Sequence, residues 1–95
     1  MKTAVRSAAV RPAQPVPDPR FWLGINLHAE RKKKGLTQEG LAAAANLSAR
    51  RLRDIENAVP ESNPQLNTIT ALAKALGVDI TALFKHVPES ELPEV

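Results

Sequence analysis

Residues 37 to 57 read TQEGLAAAANLSARRLRDIEN and hold two helical signals with only about three residues between them. Thr37 can cap the first helix, Glu39 lies in its first turn, where the positive end of the helix dipole favours an acid, and Leu41, Ala42 and Ala45 form its inner stripe. Asn46 tolerates the left-handed backbone that a tight turn needs, and Ser48 can cap the second helix. In that second helix Leu52 and Ile55 share the inner face. So short a connection gives the two helices no freedom to separate, and both must pack into one core.

The rest of the chain supplies partners for that pair. Leu23, Leu27 and Arg31 recur every four residues in FWLGINLHAERKKKG and lie along one helical face, which Gly35 ends. Lys32, Lys33 and Lys34 complement the negative end of that helix dipole. The segment AVPESNP is a loop. PQLNTITALAKALGV then carries Leu66, Ile69, Leu72, Ala73 and Leu76 at the helical period, with Gly77 as its stop. DITALFKH, capped by Asp79, predicts a last short helix. No alternating run long enough for a strand occurs. The expectation is an all-α, compact five-helix domain over residues 21–87. Residues 1–20, with Pro12, Pro15, Pro17 and Pro19, read as a flexible basic arm or an undefined tail, and residues 88–95 as a short acidic tail.

Composition narrows the chemistry. With 95 residues and no cysteine, the chain has room for one small core and no disulfide or thiolate site. His28 and His86, the only histidines, fit no metal-ligand spacing, so neither metal nor cofactor is expected. No nucleophile, base and orienting group fall together, which argues against an enzyme. No apolar run approaches the roughly 20 residues needed to cross a bilayer, and the N-terminus lacks the apolar centre of a secretory signal, so a soluble cytoplasmic protein is expected. A sequence pI near 9.7 and a net charge of +3 suit a polyanionic partner, although the net charge is modest.

Two short helices joined by a tight turn, with small residues where they cross, have the geometry of DNA-binding helix-turn-helix units. Counting from Gln38, Ala42 follows four residues later, Asn46 eight, Leu47 nine, Leu52 fourteen and Ile55 seventeen. With LGINL and Arg31 before it and NPQLNTITALAKALGVDITALF after it, the pattern resembles the lambda-repressor-like (XRE and Cro) helix-turn-helix family across about residues 23 to 84. Three positions depart from the family's pattern. Ala58 stands where glycine is usual and VPES lengthens the following loop. Gly40 replaces the glutamate of a capping box with Thr37, and Glu30 occupies a commonly apolar position.

A step of 100° per residue turns Arg50, Arg53, Asp54 and Asn57 away from Leu52 and Ile55. The resemblance implies that this side faces the major groove, with Ala49, Arg50, Arg53 and Asp54 as candidate base contacts. Arginine reads guanine, whereas Asp54 either accepts from cytosine or orients a neighbouring arginine. Thr37, Gln38 and Asn57 are the phosphate contacts that the resemblance implies. Lys34 is a further candidate, and Arg51 points sideways toward phosphate or base. The resemblance also pairs Glu56 with Arg31. The stripe through Leu23 and Leu27 independently turns Arg31 inward, where it needs a counter-charge, while an exposed Glu56 remains the other reading.

The implied function is that of a transcriptional regulator, akin to a phage-type repressor or a restriction-modification controller, binding a palindromic operator in double-stranded DNA as a homodimer. The alternative is a protein-interaction module, such as an autoregulating antitoxin or a coactivator-like adaptor, with a toxin or RNA polymerase as partner. One recognition helix covers too few base pairs for useful specificity, which favours two copies. Ile80, Leu83, Phe84 and Val87 offer the candidate dimer surface, unless Leu83 and Phe84 simply close the core.

Overall fold

Four α-helices and two short 3-10 turns make up the protein in the computed structural model, which describes residues 18–88 and residue 90. Most of the expected basic arm and most of the acidic tail lie outside the described residues. Helix α1 spans Pro19–Lys33, α2 Gln38–Ala44, α3 Ala49–Glu56 and α4 Leu66–Leu76. One 3-10 turn, Pro60–Ser62, follows α3, and the other, Ile80–Phe84, closes the domain. No strand occurs among the described residues, and no helix there is long and apolar enough to cross a membrane.

The expected fifth helix is therefore corrected to a 3-10 turn. Asp79 caps it, its carboxylate accepting from Thr81 N at 3.0 Å and Thr81 Oγ1 at 2.8 Å, but the chain becomes extended again at Lys85. The cause lies elsewhere in the fold. Asn26 of α1 is buried, and its Nδ2 donates to the carbonyls of Leu83 at 3.2 Å and Lys85 at 2.8 Å, which ties those acceptors to another element. Pro88 also disfavours helical backbone at Val87. Helix α1 in turn begins at Pro19, four residues before Leu23 opens its apolar stripe, so Pro19 and Arg20 of the expected arm belong to the helix. Pro19 takes the first position, where its missing N–H costs nothing, and Asp18 caps the helix by accepting from Arg20 N at 2.9 Å.

All four helices stop by the same device. A left-handed residue follows each last turn: Gly35 at φ 70°, Asn46 at 61°, Ala58 at 55° and Gly77 at 70°. Its N–H and the next one double back onto the helix, as with Asn46 N to Ala43 O at 3.2 Å and Leu47 N to Ala42 O at 2.8 Å. Ala58 N to Ile55 O at 3.1 Å and Val59 N to Asp54 O at 3.0 Å repeat the pattern. These pairs satisfy carbonyls that a helix end leaves open. The residue after each stop is apolar, and Leu36, Leu47 and Val78 pack against the core. At Ala58 the β-carbon crowds the left-handed conformation, at about 1–2 kcal/mol.

The core is one cluster drawn from every helix: Leu23 and Leu27 from α1, Leu41 and Ala42 from α2, Leu52 and Ile55 from α3, Ile69, Leu72, Ala73 and Leu76 from α4, with Leu83 beneath. Helix α1 packs on α3 and on the closing turn, while α2 packs on α3 and α4. The α1–α3 approach is close enough that a β-carbon on Gly24 would lie 2.5 Å from Glu56 O. Glu30 does not loosen α1, since its side chain is largely covered and pairs with Lys33 at 3.3 Å.

Two substitutions test this packing by urea denaturation. Ala58→Gly relieves the strained stop, and after the extra unfolded-state entropy of glycine it should stabilise the protein by about 0.5–1 kcal/mol. Gly24→Ala should destabilise by about 1–3 kcal/mol, because backbone must move to admit the methyl group. Unchanged midpoints for both would contradict the account.

Candidate nucleic-acid interface

Helices α2 and α3 are each capped at the start. Thr37 Oγ1 accepts from Gly40 N at 2.9 Å, so this cap forms without the glutamate of a capping box. Ser48 Oγ accepts from Arg51 N at 3.0 Å. Asn46, left-handed, makes the turn between them.

Helix α3 has two sharply different faces. Leu52 and Ile55 are fully buried, whereas Arg50, Arg53 and Asn57 are exposed, and Ala49 and Asp54 are half-buried beside them. Among the described residues neither Arg50 nor Arg53 enters an ion pair, so Asp54 does not orient them there. Their guanidinium groups stand in solvent with hydrogen-bond donors to offer.

Glu56 leaves the same helix on the inner side, with only 3% of its side chain exposed. Arg31 grips it with two donors, Nε to Oε2 at 2.8 Å and Nη2 to Oε1 at 3.2 Å. The rest of the guanidinium is also engaged: Nη1 donates to Leu36 O at 3.0 Å, and Nη2 reaches His28 Nδ1 at 3.2 Å. Arginine only donates, so His28 Nδ1 accepts there. Gln38 completes the set, its Nε2 lying 3.1 Å from Glu56 Oε1. One buried carboxylate thus connects α1, α3 and the first residue of α2. The sequence reading missed His28, although its position three residues before Arg31 on one helix places them side by side.

Other side chains go where the sequence pattern did not send them. Arg51 is half-buried and donates from Nη1 to the carbonyl of Ser62 in the loop after α3. Lys34 Nζ lies beside Gly77, 3.8 Å from where a β-carbon would stand, and so faces the negative end of the α4 dipole. Leu83 in the closing turn is fully buried and Val87, three residues beyond the turn, nearly so, so neither offers free surface to a second copy. Ile80 is half-buried against the core, and Phe84 keeps 36% of its surface exposed. With about three residues per 3-10 turn, adjacent side chains diverge by roughly 120°, so only one of Leu83 and Phe84 can point inward.

The helix-turn-helix family model matches residues 27–83. Over 61 residues, 64% of this chain, the sequence is 44% identical to the immunity repressor protein of Bacillus phage phi105, and the match covers 41% of that repressor. It is 37% identical to the uncharacterised HTH-type transcriptional regulator y4dJ of Sinorhizobium fredii, over 80% of this chain and 94% of that one. Among solved structures it resembles the restriction-modification controller protein C.AhdI from Aeromonas hydrophila, with a TM-score of 0.64, 32% identity, and coverage of 68% of this chain and 96% of that one.

Glu56→Ala should strand the Arg31 cation in the core and cost about 3–5 kcal/mol, a large share of the stability of so small a domain. The melting temperature should fall accordingly. A variant that melts like the wild type would mean that the pair contributes little.

Proposed function

Because the chain belongs to the helix-turn-helix family of DNA-binding transcriptional regulators, we propose that it binds a palindromic operator in duplex DNA as a homodimer and represses from it. The observation that carries this reading is α3 itself: a helix with Leu52 and Ile55 fully buried on one side and Arg50 and Arg53 exposed on the other, neither in an ion pair among the described residues. Such a helix is rigidly seated and presents guanidinium groups outward, as direct reading of guanine in the major groove requires. Ala49 and Asp54 flank the arginines and complete the base-reading face. Thr37, Gln38 and Asn57 are the phosphate contacts, with Gln38 held by Glu56 at the positive end of α2. Lys34 adds to the general positive field. The name of the phage relative supports repression, and the likeness to a restriction-modification controller protein supports a small regulator.

The dimer contact centres on Phe84, with Ile80 at the start of the same turn contributing from its partly exposed edge. An exposed aromatic ring is a usable anchor for a second copy.

Selection of duplexes from a random-sequence library tests the whole reading. A two-fold symmetric site should emerge, with half-site centres about 34 Å apart. Arg50→Ala and Arg53→Ala should each relax specificity at one position of the half-site and cost about 1–3 kcal/mol of discrimination. Phe84→Glu should give a folded monomer that protects single half-sites weakly. Failure to enrich any duplex would refute DNA reading, and a wild-type protein that stays monomeric on its site would refute the dimer.

A further inference from the structure

The loop leaving α3 is held from two sides. Arg51, in the first turn of α3, donates to the carbonyl of Ser62, and Arg20, in the first turn of α1, donates from Nη1 to the carbonyl of Pro60. These carbonyls mark the two ends of the Pro60–Ser62 turn. Arg20 is itself fixed, with Nε 3.0 Å from Asp18 Oδ1 and Nη2 on Oδ2. The Arg20 hydrogen bonds hold the Asp18 carboxyl down at about 2 against an ordinary 3.8, so the acceptor of the fork is ionised throughout the neutral range.

The loop needs such restraint. It is entered through Ala58 and left through Asn63, both at positive φ, 55° and 29°, a conformation that side chains resist. Helix α3, with eight residues, is too short to be stable in isolation and takes its direction from tertiary contacts. Arg51 links its first turn to the chain beyond its last, between the two exposed arginines at positions 50 and 53.

We infer that Arg51 is a positioning residue for DNA recognition: by strapping α3 to Ser62 it aims Arg50 and Arg53, while Arg20 holds the other end of the same turn. This rests on the DNA-binding reading above. It replaces the phosphate contact expected of Arg51 with an internal one, and the two roles differ measurably. A guanidinium on phosphate displaces a counterion, so losing it flattens the slope of log affinity against log salt by about 0.9. A guanidinium on an internal carbonyl displaces none.

The experiment compares wild type with Arg51→Ala, Arg51→Lys and Arg20→Ala, at a temperature where circular dichroism shows each to be folded. Two quantities are read: amide hydrogen exchange of residues 59–63 without DNA, and affinity across a salt series for the duplex that the wild type enriches from a random library. Arg51→Ala should exchange faster at Ser62 and bind about tenfold more weakly, as befits one lost internal hydrogen bond, with an unchanged salt slope. Arg51→Lys, whose ammonium falls one bond short of the carbonyl, should behave alike, although it would largely rescue a phosphate contact. Arg20→Ala should loosen the loop with a smaller loss of affinity. A slope flatter by about 0.9 with exchange unchanged would overturn the inference in favour of phosphate. Wild-type affinity in folded Arg51→Ala would overturn it while leaving DNA binding intact. Failure of the wild type to enrich any duplex would instead refute the underlying reading, and the aiming role with it.

Discussion

Between α1, α2 and α3 lie a guanidinium and a carboxylate that water barely reaches. Removing two such charges from solvent is expensive, and their mutual attraction offsets the cost only when the remaining donors and acceptors are also engaged. Here they are: Arg31 also serves Leu36 O and His28, and Glu56 also receives Gln38. The consequence is geometric. An apolar cluster of leucines and alanines would tolerate small rotations of α1 against α3, whereas a bidentate pair with fixed auxiliary partners does not, and the Gln38 bond to Glu56 extends that restraint to α2. The residue that opens α2 and the helix that carries the exposed arginines are thereby placed relative to each other.

How much of this could be read in the sequence depends on how far apart the interacting residues lie along the chain. The stops at Gly35, Asn46 and Gly77 were legible because the left-handed conformation selects those residue types locally. Ala58 was not, since alanine gives no such signal and only its place relative to a known family pattern marked it. The closing turn was misread as a helix for a different reason. Its capping aspartate is local, but the Asn26 side chain that takes its carbonyls comes from 57 and 59 residues away.

The candidate site divides in the same way. Which side of α3 faces in follows from the helical period, and the buried Leu52 and Ile55 and the exposed Arg50 and Arg53 agree with it. Where long side chains end does not follow. Gln38 finds an acceptor 18 residues away and Arg51 one 11 residues away, while Lys34 settles beside Gly77. Periodicity fixes the direction of a β-carbon, whereas an arginine or lysine reaches several bonds further to whatever acceptor the tertiary fold supplies.

One local rule is broken in α3 and kept in α2. Helix α2 has Glu39 in its first turn, but α3 has no acid there and places Arg50 and Arg51 at its positive end, where the dipole opposes cations. Arg53 adds a third positive charge nearby. Natural sequences relax such rules mainly where function requires it, and the relaxation must be offset elsewhere. In α3 the offsets are the Ser48 cap, two buried apolar side chains, the Glu56 ion pair and the Ser62 strap. A helix held this firmly despite its own electrostatics loses little conformational freedom when it binds. The negative charge missing from its first turn is one that a polyanion supplies, so the same contact that would be recognised also completes the helix.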